Sequence, residues 1–367
     1  MKKLIWLVAV PIVIVIIILA LSRSVQDNTI KLGFVGPLTG FGADFGEESK
    51  IAVAIAVEEI NANGGISGKK VSVIYEDGKC GAKDAITSAQ KLISVEKVKV
   101  IMSVCGQESL AIAPIAEKNK VLMMALWSTH PKLTGVGEYI FRNAYSDEDT
   151  GKSMAQEVAR RYDSVAIMTE LNEYSIGLRD IFEKYFKGKV IEENYSPGTK
   201  DFKSYILDIL SNKPQAVVMN PSSAADGLVA LRQLRQLGFK GQLYGNYFGS
   251  VNDVLQSPEA QGMVFFTDPV VRDNVLRESL YAKFQSTTDR KPNYDFAVAI
   301  SYDSVYILRQ AIANVGTDPS KLKDYLHSMK DFIGVMGTYG FNDWGDATGY
   351  VPSMKQIKNG RVVDVAE

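Results

Sequence analysis

Gly40, Gly42 and Gly46, in the run G-F-G-A-D-F-G, come nearest in this chain to a motif that does chemistry. The run follows the apolar segment 30–35 and precedes a helical pattern, the setting in which a helix N-terminus cradles a pyrophosphate. A dinucleotide loop needs G-x-G-x-x-G, and here the last interval is one residue too long. Glu58 and Glu59, the acidic residues that would have to meet a ribose, fall inside the helix rather than after the next strand. The glycines therefore read as a tight turn that also admits close approach of a ligand. No G-x-x-x-x-G-K-[ST] cradle and no G-x-S-x-G elbow occurs. Cys80, Cys105, His130 and His327 are too scattered to form a metal cluster. The carboxylate neighbours Glu47/Glu48 and Glu58/Glu59 read as solvated helix faces, and 342–346 (N-D-W-G-D) as a polar turn without the alternating ligands of a calcium loop. Neither an enzyme nor a bound metal or cofactor is expected.

Strand and helix alternate around these residues. Segments 30–35, 71–75, 98–104 and 121–126 are mostly apolar, and 47–61, 82–94 and 110–118 carry helical patterning, with Ala85, Ala89, Leu92 and Ile93 on one stripe. Asn63, Gly64 and Gly65 suit a left-handed helix end. Strands without polar alternation imply parallel pairing with both faces covered. The pattern then restarts, with helices at 151–162, 176–186, 202–210 and 227–237 alternating with strands at 164–168, 190–195, 216–219 and 242–244. Helices at 274–286, 296–314 and 320–328 follow. The chain closes on short strands and a hairpin turning at Asn359 and Gly360. At 367 residues two domains are expected, and two βαβα blocks predict an α/β fold of two similar lobes.

In open parallel sheets ligands bind beyond the carboxyl ends of the strands. That rule selects 39–45, 106–109 and 127–129 in the first block and 172–174, 221–223 and 246–248 in the second. Phe45, Trp127, Tyr174 and Tyr247 would supply aromatic walls there. Thr39, Gln107, Ser128, Thr129 and Ser223 would supply hydroxyls and an amide, the make-up of a small-molecule cleft.

Lys and Arg (41) nearly cancel Asp and Glu (42), which gives no electrostatic footprint for nucleic acid. Lys2 and Lys3 precede an unbroken apolar run, 4–21, followed by Ser22 and Arg23, the pattern that addresses a chain for export. The run reaches the roughly 17–25 residues that span a bilayer. Residues 1–23 therefore read as an uncleaved signal-anchor in preference to a signal peptide cut after Ser22, and 24–29 as a linker. With so short a segment ahead of the run, no intracellular effector within the chain is expected. An exported compartment permits a disulfide between Cys80 and Cys105, the two cysteines of the chain. Such a bridge stabilises by about 3–4 kcal/mol in the chain-entropy account; two buried free thiols are the alternative.

Residues 30–68, with G-P-L-T-G from Gly36 and V-E-E-I-N-A-N-G-G-I-S-G from Val57, resemble the branched-chain amino-acid binding proteins of ABC transporters. Cys80 matches the first cysteine of that family's disulfide. Cys105 and the segment through Pro131, with A-P-I-A-E at 113–117 and T-H-P-K-L-T from Thr129, run against the family pattern without a gap, and 294–306, 332–341 and the Asn359-Gly360 turn match its C-terminal region. The resemblance covers nearly all of the chain after residue 29. It implies the type I periplasmic-binding-protein fold: two Rossmann-like lobes with parallel sheets, joined by a three-segment hinge near 142–146, 265–269 and 349–353. Lobe 1 would take 30–144 plus 270–351, and lobe 2 would take 145–269 plus 352–367. It also implies an exported monomer that closes over a ligand and feeds separate ABC permease subunits, with a sensor of the same fold serving a signalling partner as the alternative.

The ligand residues carry over unevenly. Thr129 matches a hydroxyl that bonds the ligand's carboxylate, Tyr174 a tyrosine reaching in from the second lobe, and Phe45 a lining aromatic. Gly106, however, stands where amino-acid binders have a carboxylate-binding Ser, and Tyr247 where they have the Glu that pairs with the ammonium. Trp127 replaces a small residue and should shrink or reshape the pocket. A buried ammonium without a carboxylate costs several kcal/mol, and Glu108 and Asp44 are the nearest substitutes in sequence. An uncharged amide, a urea-like compound or a small aromatic or carboxylic acid thus stands beside an ordinary amino acid as the expected ligand.

Overall fold

The structure, a computed structural model, describes residues 29–40, 42–269, 274–349 and 352–365. The apolar run and linker read at the N-terminus lie outside the described residues. Among the described residues no helix is long and apolar enough to cross a membrane.

The first sheet is built from β1 (Thr29–Gly36), β2 (Lys70–Asp77), β3 (Val100–Ser103), β4 (Leu122–Ala125) and β5 (Ile140–Arg142), in the order β2-β1-β3-β4-β5 and all parallel. The helices α1 (Ala43–Ala62), α2 (Ala82–Ser94) and α3 (Gly106–Asn119) make the crossovers. Ile30, Leu32 and Phe34 of β1 face one core, whereas Val35 faces another with Ala85, Ala89 and Leu92 of α2. Both faces of the sheet are therefore covered, as its mostly apolar inner strands demand.

The second sheet takes β6 (Ser164–Glu170), β7 (Lys189–Tyr195), β8 (Ala216–Asn220), β9 (Gln242–Gly245) and β10 (Val264–Thr267) in parallel. Their helices are α4 (Asp147–Ala159), α5 (Glu173–Tyr185), α6 (Lys203–Ser211), α7 (Ala224–Gln236) and the short α8 (Asn252–Leu255). After β10 the chain returns to the first unit as α9 (Val275–Thr288), α10 (Asp295–Val315) and α11 (Pro319–Ser328), which pack into the core of β1. A three-stranded antiparallel sheet follows, β11 (Phe332–Gly334), β12 (Gly337–Phe341) and β13 (Ala347–Thr348). The hairpin β14 (Ser353–Lys358) and β15 (Arg361–Asp364) then completes the second sheet antiparallel to β10. Its turn has positive φ at both Asn359 (52°) and Gly360 (69°), the geometry an Asn-Gly hairpin adopts. The chain thus passes between the two units at 143–146, after β10 and after β13, the three crossings expected from the sequence.

Five helices begin three or four residues before the apolar periodicity suggests: α1 at Ala43, α3 at Gly106, α4 at Asp147, α5 at Glu173 and α7 at Ala224. The cause is local. A first turn is held by caps rather than by burial, so it shows no apolar pattern. The Ser146 hydroxyl accepts from Glu148 N, Asn172 Oδ1 from Ser175 N, and Ser223 Oγ from Asp226 N. These hidden first turns aim residues at the strand ends.

The glycines of the first loop are structural. Gly42 caps α1 with φ 78°, and a Cβ on Gly46 would lie 2.0 Å from the Pro37 carbonyl oxygen. Two of the acidic residues read as solvated are not. Glu48 is wholly buried and accepts from Asn293 N and Tyr294 N, beside Arg290, while Glu59 takes the hydroxyls of Tyr302 and Tyr306 (2.5 and 2.6 Å) and pairs with Lys283. Both tie α1 to the α9–α10 segment, a long-range pairing invisible to sequence spacing. Cys80 and Cys105 form the disulfide, with Cα atoms 5.4 Å apart. Glu108 accepts the backbone N–H of each (3.0 Å), and burial pushes its carboxyl up to about 7.

Arg142, only 1% exposed, ends β5 and bonds the carbonyls of Thr129 and His130 (3.2 and 2.9 Å), the Thr134 hydroxyl (2.8 Å) and Asp346 (2.8 Å). The 342–346 segment that supplies Asp346 is a polar turn, with Trp344 N and Asp346 N donating to Asn342 Oδ1. Replacing Arg142 with Met strands Asp346 and the two carbonyls. The expected loss is about 3–5 kcal/mol of stability, read from the urea midpoint at constant slope.

Candidate ligand-binding cleft

Aromatic rings run from one unit to the other between the two rows of strand ends. Phe45, in the first turn of α1, meets Trp127 after β4 edge to face at 5.2 Å. Trp127 meets Tyr247 after β9 at 6.2 Å, and Tyr247 meets Tyr174, in the first turn of α5, at 5.6 Å. Tyr294 closes the first-unit end, 6.0 Å from Phe45 and 5.6 Å from Trp127. Tyr247 is pinned by its hydroxyl, which donates to the Ser222 carbonyl (2.6 Å), and Tyr294 by Asp44. Tyr174 and Tyr247 are both half-buried.

The floor is polar. Thr129 donates its hydroxyl to Asp147 Oδ2 (2.7 Å), and Tyr145 donates to Asp268 Oδ1 (2.6 Å). Burial pushes Asp147 up to about 7, against the opposing Thr129 bond and Arg142 charge, and pushes Asp268 up to about 6, against the Tyr145 bond. His130 Nδ1 accepts from Lys132 N, which leaves the proton on Nε2, 3.9 Å from Glu173 Oε1 across the cleft. Burial and the nearby positive charges of Lys132 and Arg142 push His130 down to about 4, so this contact is between a neutral ring and a carboxylate, not an ion pair.

Most residues selected from the sequence converge here. Phe45, Trp127, Tyr174 and Tyr247 form the aromatic line, and Thr129 sits on the floor. Ser128 is buried and its hydroxyl has no partner among the described residues. A Cβ on Gly106 would lie 3.7 Å from that oxygen, an ordinary van der Waals contact, so Gly106 stands beside Ser128. Gln107 stands in the first turn of α3, half-buried. Ser223 is a helix cap whose own N–H donates to Glu170, and Thr39 is turned toward Asp77. Sequence reasoning missed Tyr294, Tyr145, Asp147 and Asp268. The two acids lie in or beside segments recognised as crossings, and reading the crossings as cleft lining would have found them. Glu108 and Asp44 are already engaged, by the cysteine amides and by Tyr294.

The profile of the family described as periplasmic binding protein matches residues 29–355. The chain is 26% identical over 335 residues to the leucine-, isoleucine-, valine-, threonine- and alanine-binding protein of Pseudomonas aeruginosa, covering 89% of each. It is 28% identical over 355 residues to Leu/Ile/Val-binding protein homolog 3 of Brucella melitensis, covering 93% of this chain and 94% of the other. The crystal structure of the leucine-binding protein LivK of Thermotoga maritima superposes with a TM-score of 0.80 at 27% identity, over 92% of this chain and 98% of that one.

A carboxyl raised by burial keeps its proton in the folded state. Its share of stability is whole below the unfolded value near 4 and is lost as pH rises through about 7. Asp147→Asn should accordingly stabilise the ligand-free protein by up to about 4 kcal/mol at pH 8 and by almost nothing at pH 4, measured by urea denaturation at both pH values.

Proposed function

The chain belongs to the periplasmic binding protein family, and from that premise we propose that it is an extracytoplasmic solute-binding protein that closes two lobes over a small polar ligand and delivers it to the permease of an ABC transporter. The observation that carries the reading is the Trp127–Tyr247 contact, which joins the strand ends of one unit to those of the other above a polar floor. A ligand held between these rows touches both units. Only such a ligand adds binding energy to the shut form, so capture is a population shift toward closure. Lobe 1 is taken as 30–144 plus 270–351 and lobe 2 as 145–269 plus 352–367, with Phe45, Gly106, Gln107, Trp127, Ser128 and Thr129 contributed by the first and Tyr174, Ser223 and Tyr247 by the second.

The ligand class is an amino acid, an amide, a urea-like compound or a small organic acid. The relatives' names support an amino acid, while Trp127 and Tyr247 set this cleft apart from theirs. The protein acts as a monomer without catalysis, held at the outer face of the membrane by residues 4–21.

A solute bound by the folded state alone raises the melting temperature by mass action. A thermal-shift screen over these four classes should find at least one that raises it by several degrees; no shift from any of them counts against solute binding. Trp127→Ala should change the rank order of ligands while moving the ligand-free melting temperature little, because the ring stands at the cleft rather than in a core. An unchanged order with a large loss of stability would make Trp127 a packing residue.

A further inference from the structure

We propose that the amino-terminal edge of the first sheet, at the opposite end of its strands from the cleft, lies against anionic lipid headgroups and so turns the cleft away from the membrane. The inference rests on the reading of residues 4–21 as a membrane anchor and adds a second contact to it. Six lysines mark this edge, all exposed and none in an ion pair among the described residues. Lys69 and Lys70 open β2, with Lys70 opposite Thr29 at the start of β1. Lys97 and Lys99 lead into β3, and Lys118 and Lys120 into β4. The two leads are neighbours, since the Lys99 carbonyl accepts from Leu122 N (3.0 Å), and Lys118 lines one groove with Ser94 and Val95. Among the acids of the same segments, Glu117 accepts from Tyr139 N and Glu138 pairs with Lys323. Glu58, Glu96 and Asp343 are fewer than the lysines they stand among.

Charge alone does not choose this edge, because the amino-terminal edge of the second sheet also carries exposed lysines, Lys187, Lys189, Lys213 and Lys240. Two further observations do. The chain between the apolar run and Thr29 is residues 22–28, which reach at most about 25 Å when fully extended. With the run in a bilayer, Thr29 and the Lys70 beside it stay within that reach of the headgroups. The first edge also exposes apolar side chains among its charges: Val95 (69% exposed) before β3, Val136 (41%) before β5, and Trp344 (62%). The Trp344 ring lies over the loop into β5, since a Cβ on Gly135 would meet its Cε3 at 2.9 Å. An indole is favoured at headgroup depth, and each lysine brought to an anionic surface strengthens the contact about fivefold. The anchor already retains the chain, so the work of this patch is orientation. The strands run from it to the cleft, which therefore opens on the side away from the lipid.

The test is lysine acetylation by a membrane-impermeant reagent, read residue by residue by mass spectrometry, on the full chain reconstituted in vesicles. One set of vesicles is phosphatidylcholine alone and the other is one-third phosphatidylglycerol. The inference expects Lys97, Lys99, Lys118 and Lys120 to react at least threefold slower on the anionic vesicles, and Lys213 and Lys240 to react equally on both. The difference should vanish in 0.5 M salt, where the screening length falls to about 4 Å. Lys97→Gln, Lys99→Gln, Lys118→Gln and Lys120→Gln together should remove the slowing at Lys69 and Lys70 on anionic lipid while leaving the melting temperature unchanged. Equal rates on both vesicles, from a chain that floats with them in 0.5 M salt, overturn the docking edge and leave the anchor standing. Slowing as strong at Lys213 and Lys240, or slowing at Lys69 and Lys70 that survives the four substitutions, overturns it too. A chain that floats with neither vesicle in 0.5 M salt overturns the anchor and this inference together, while solute binding is read separately by the thermal-shift screen.

Discussion

Arg142 sits at the last residue of the first sheet, where the chain leaves one unit for the other, and its guanidinium is shared by two loop carbonyls, a hydroxyl and Asp346. Those bonds hold the backbone of Thr129 and His130, the loop that carries Trp127 to the cleft. They also lock the turn before the third crossing against the first. Because stranding a buried guanidinium or its carboxylate partner is costly, these bonds tie the loop, the turn and β5 to one another. The position of the cleft wall follows from that requirement. On the other side, Tyr247 is fixed by Ser222, and Tyr145 links the first crossing to the second through Asp268. The aromatic line is therefore presented by two rigid supports that meet at the crossings.

Asp147 and Asp268 are carboxyls set where burial outweighs the groups that favour their charge: Thr129 and the Arg142 charge at Asp147, and the Tyr145 hydroxyl at Asp268. Both carboxyls are pushed up by burial, which means that the folded state is penalised for their ionisation. Functional sites are where such local conflicts persist, offset elsewhere by the large apolar cores on both faces of each sheet. The same reasoning separates Glu108 from these two. It too is raised, but its oxygens are filled by the amides of Cys80 and Cys105, so its task is to hold the disulfide segment to the first turn of α3.

The strands, their parallel pairing and candidate cleft residues were legible from the sequence because they follow from burial and from the strand-end rule. Segments such as 121–126 are apolar on both faces and pair in parallel, and the strand-end rule selected Phe45, Trp127, Tyr174 and Tyr247 before any contact was known. The first helical turns were not legible, since caps such as Asn172 and Ser146 replace apolar periodicity there. Nor were the partners of Glu48 and Glu59, which lie more than two hundred residues away in α9, α10 and the segment between them. Asp147 and Asp268 escaped for a related reason. Each is an ordinary acid in an irregular segment, and only the fold makes them neighbours.

The central claim is that two units close over a ligand held in the cleft beside the Trp127–Tyr247 contact. Spin labels at Lys291 and Ala225, exposed positions on the first and second units, report it directly through their distance distribution. With the solute that most raises the melting temperature, the account predicts a shorter and narrower distribution than in its absence. A distribution unchanged by that solute would contradict closure, and with it the cleft as a trap.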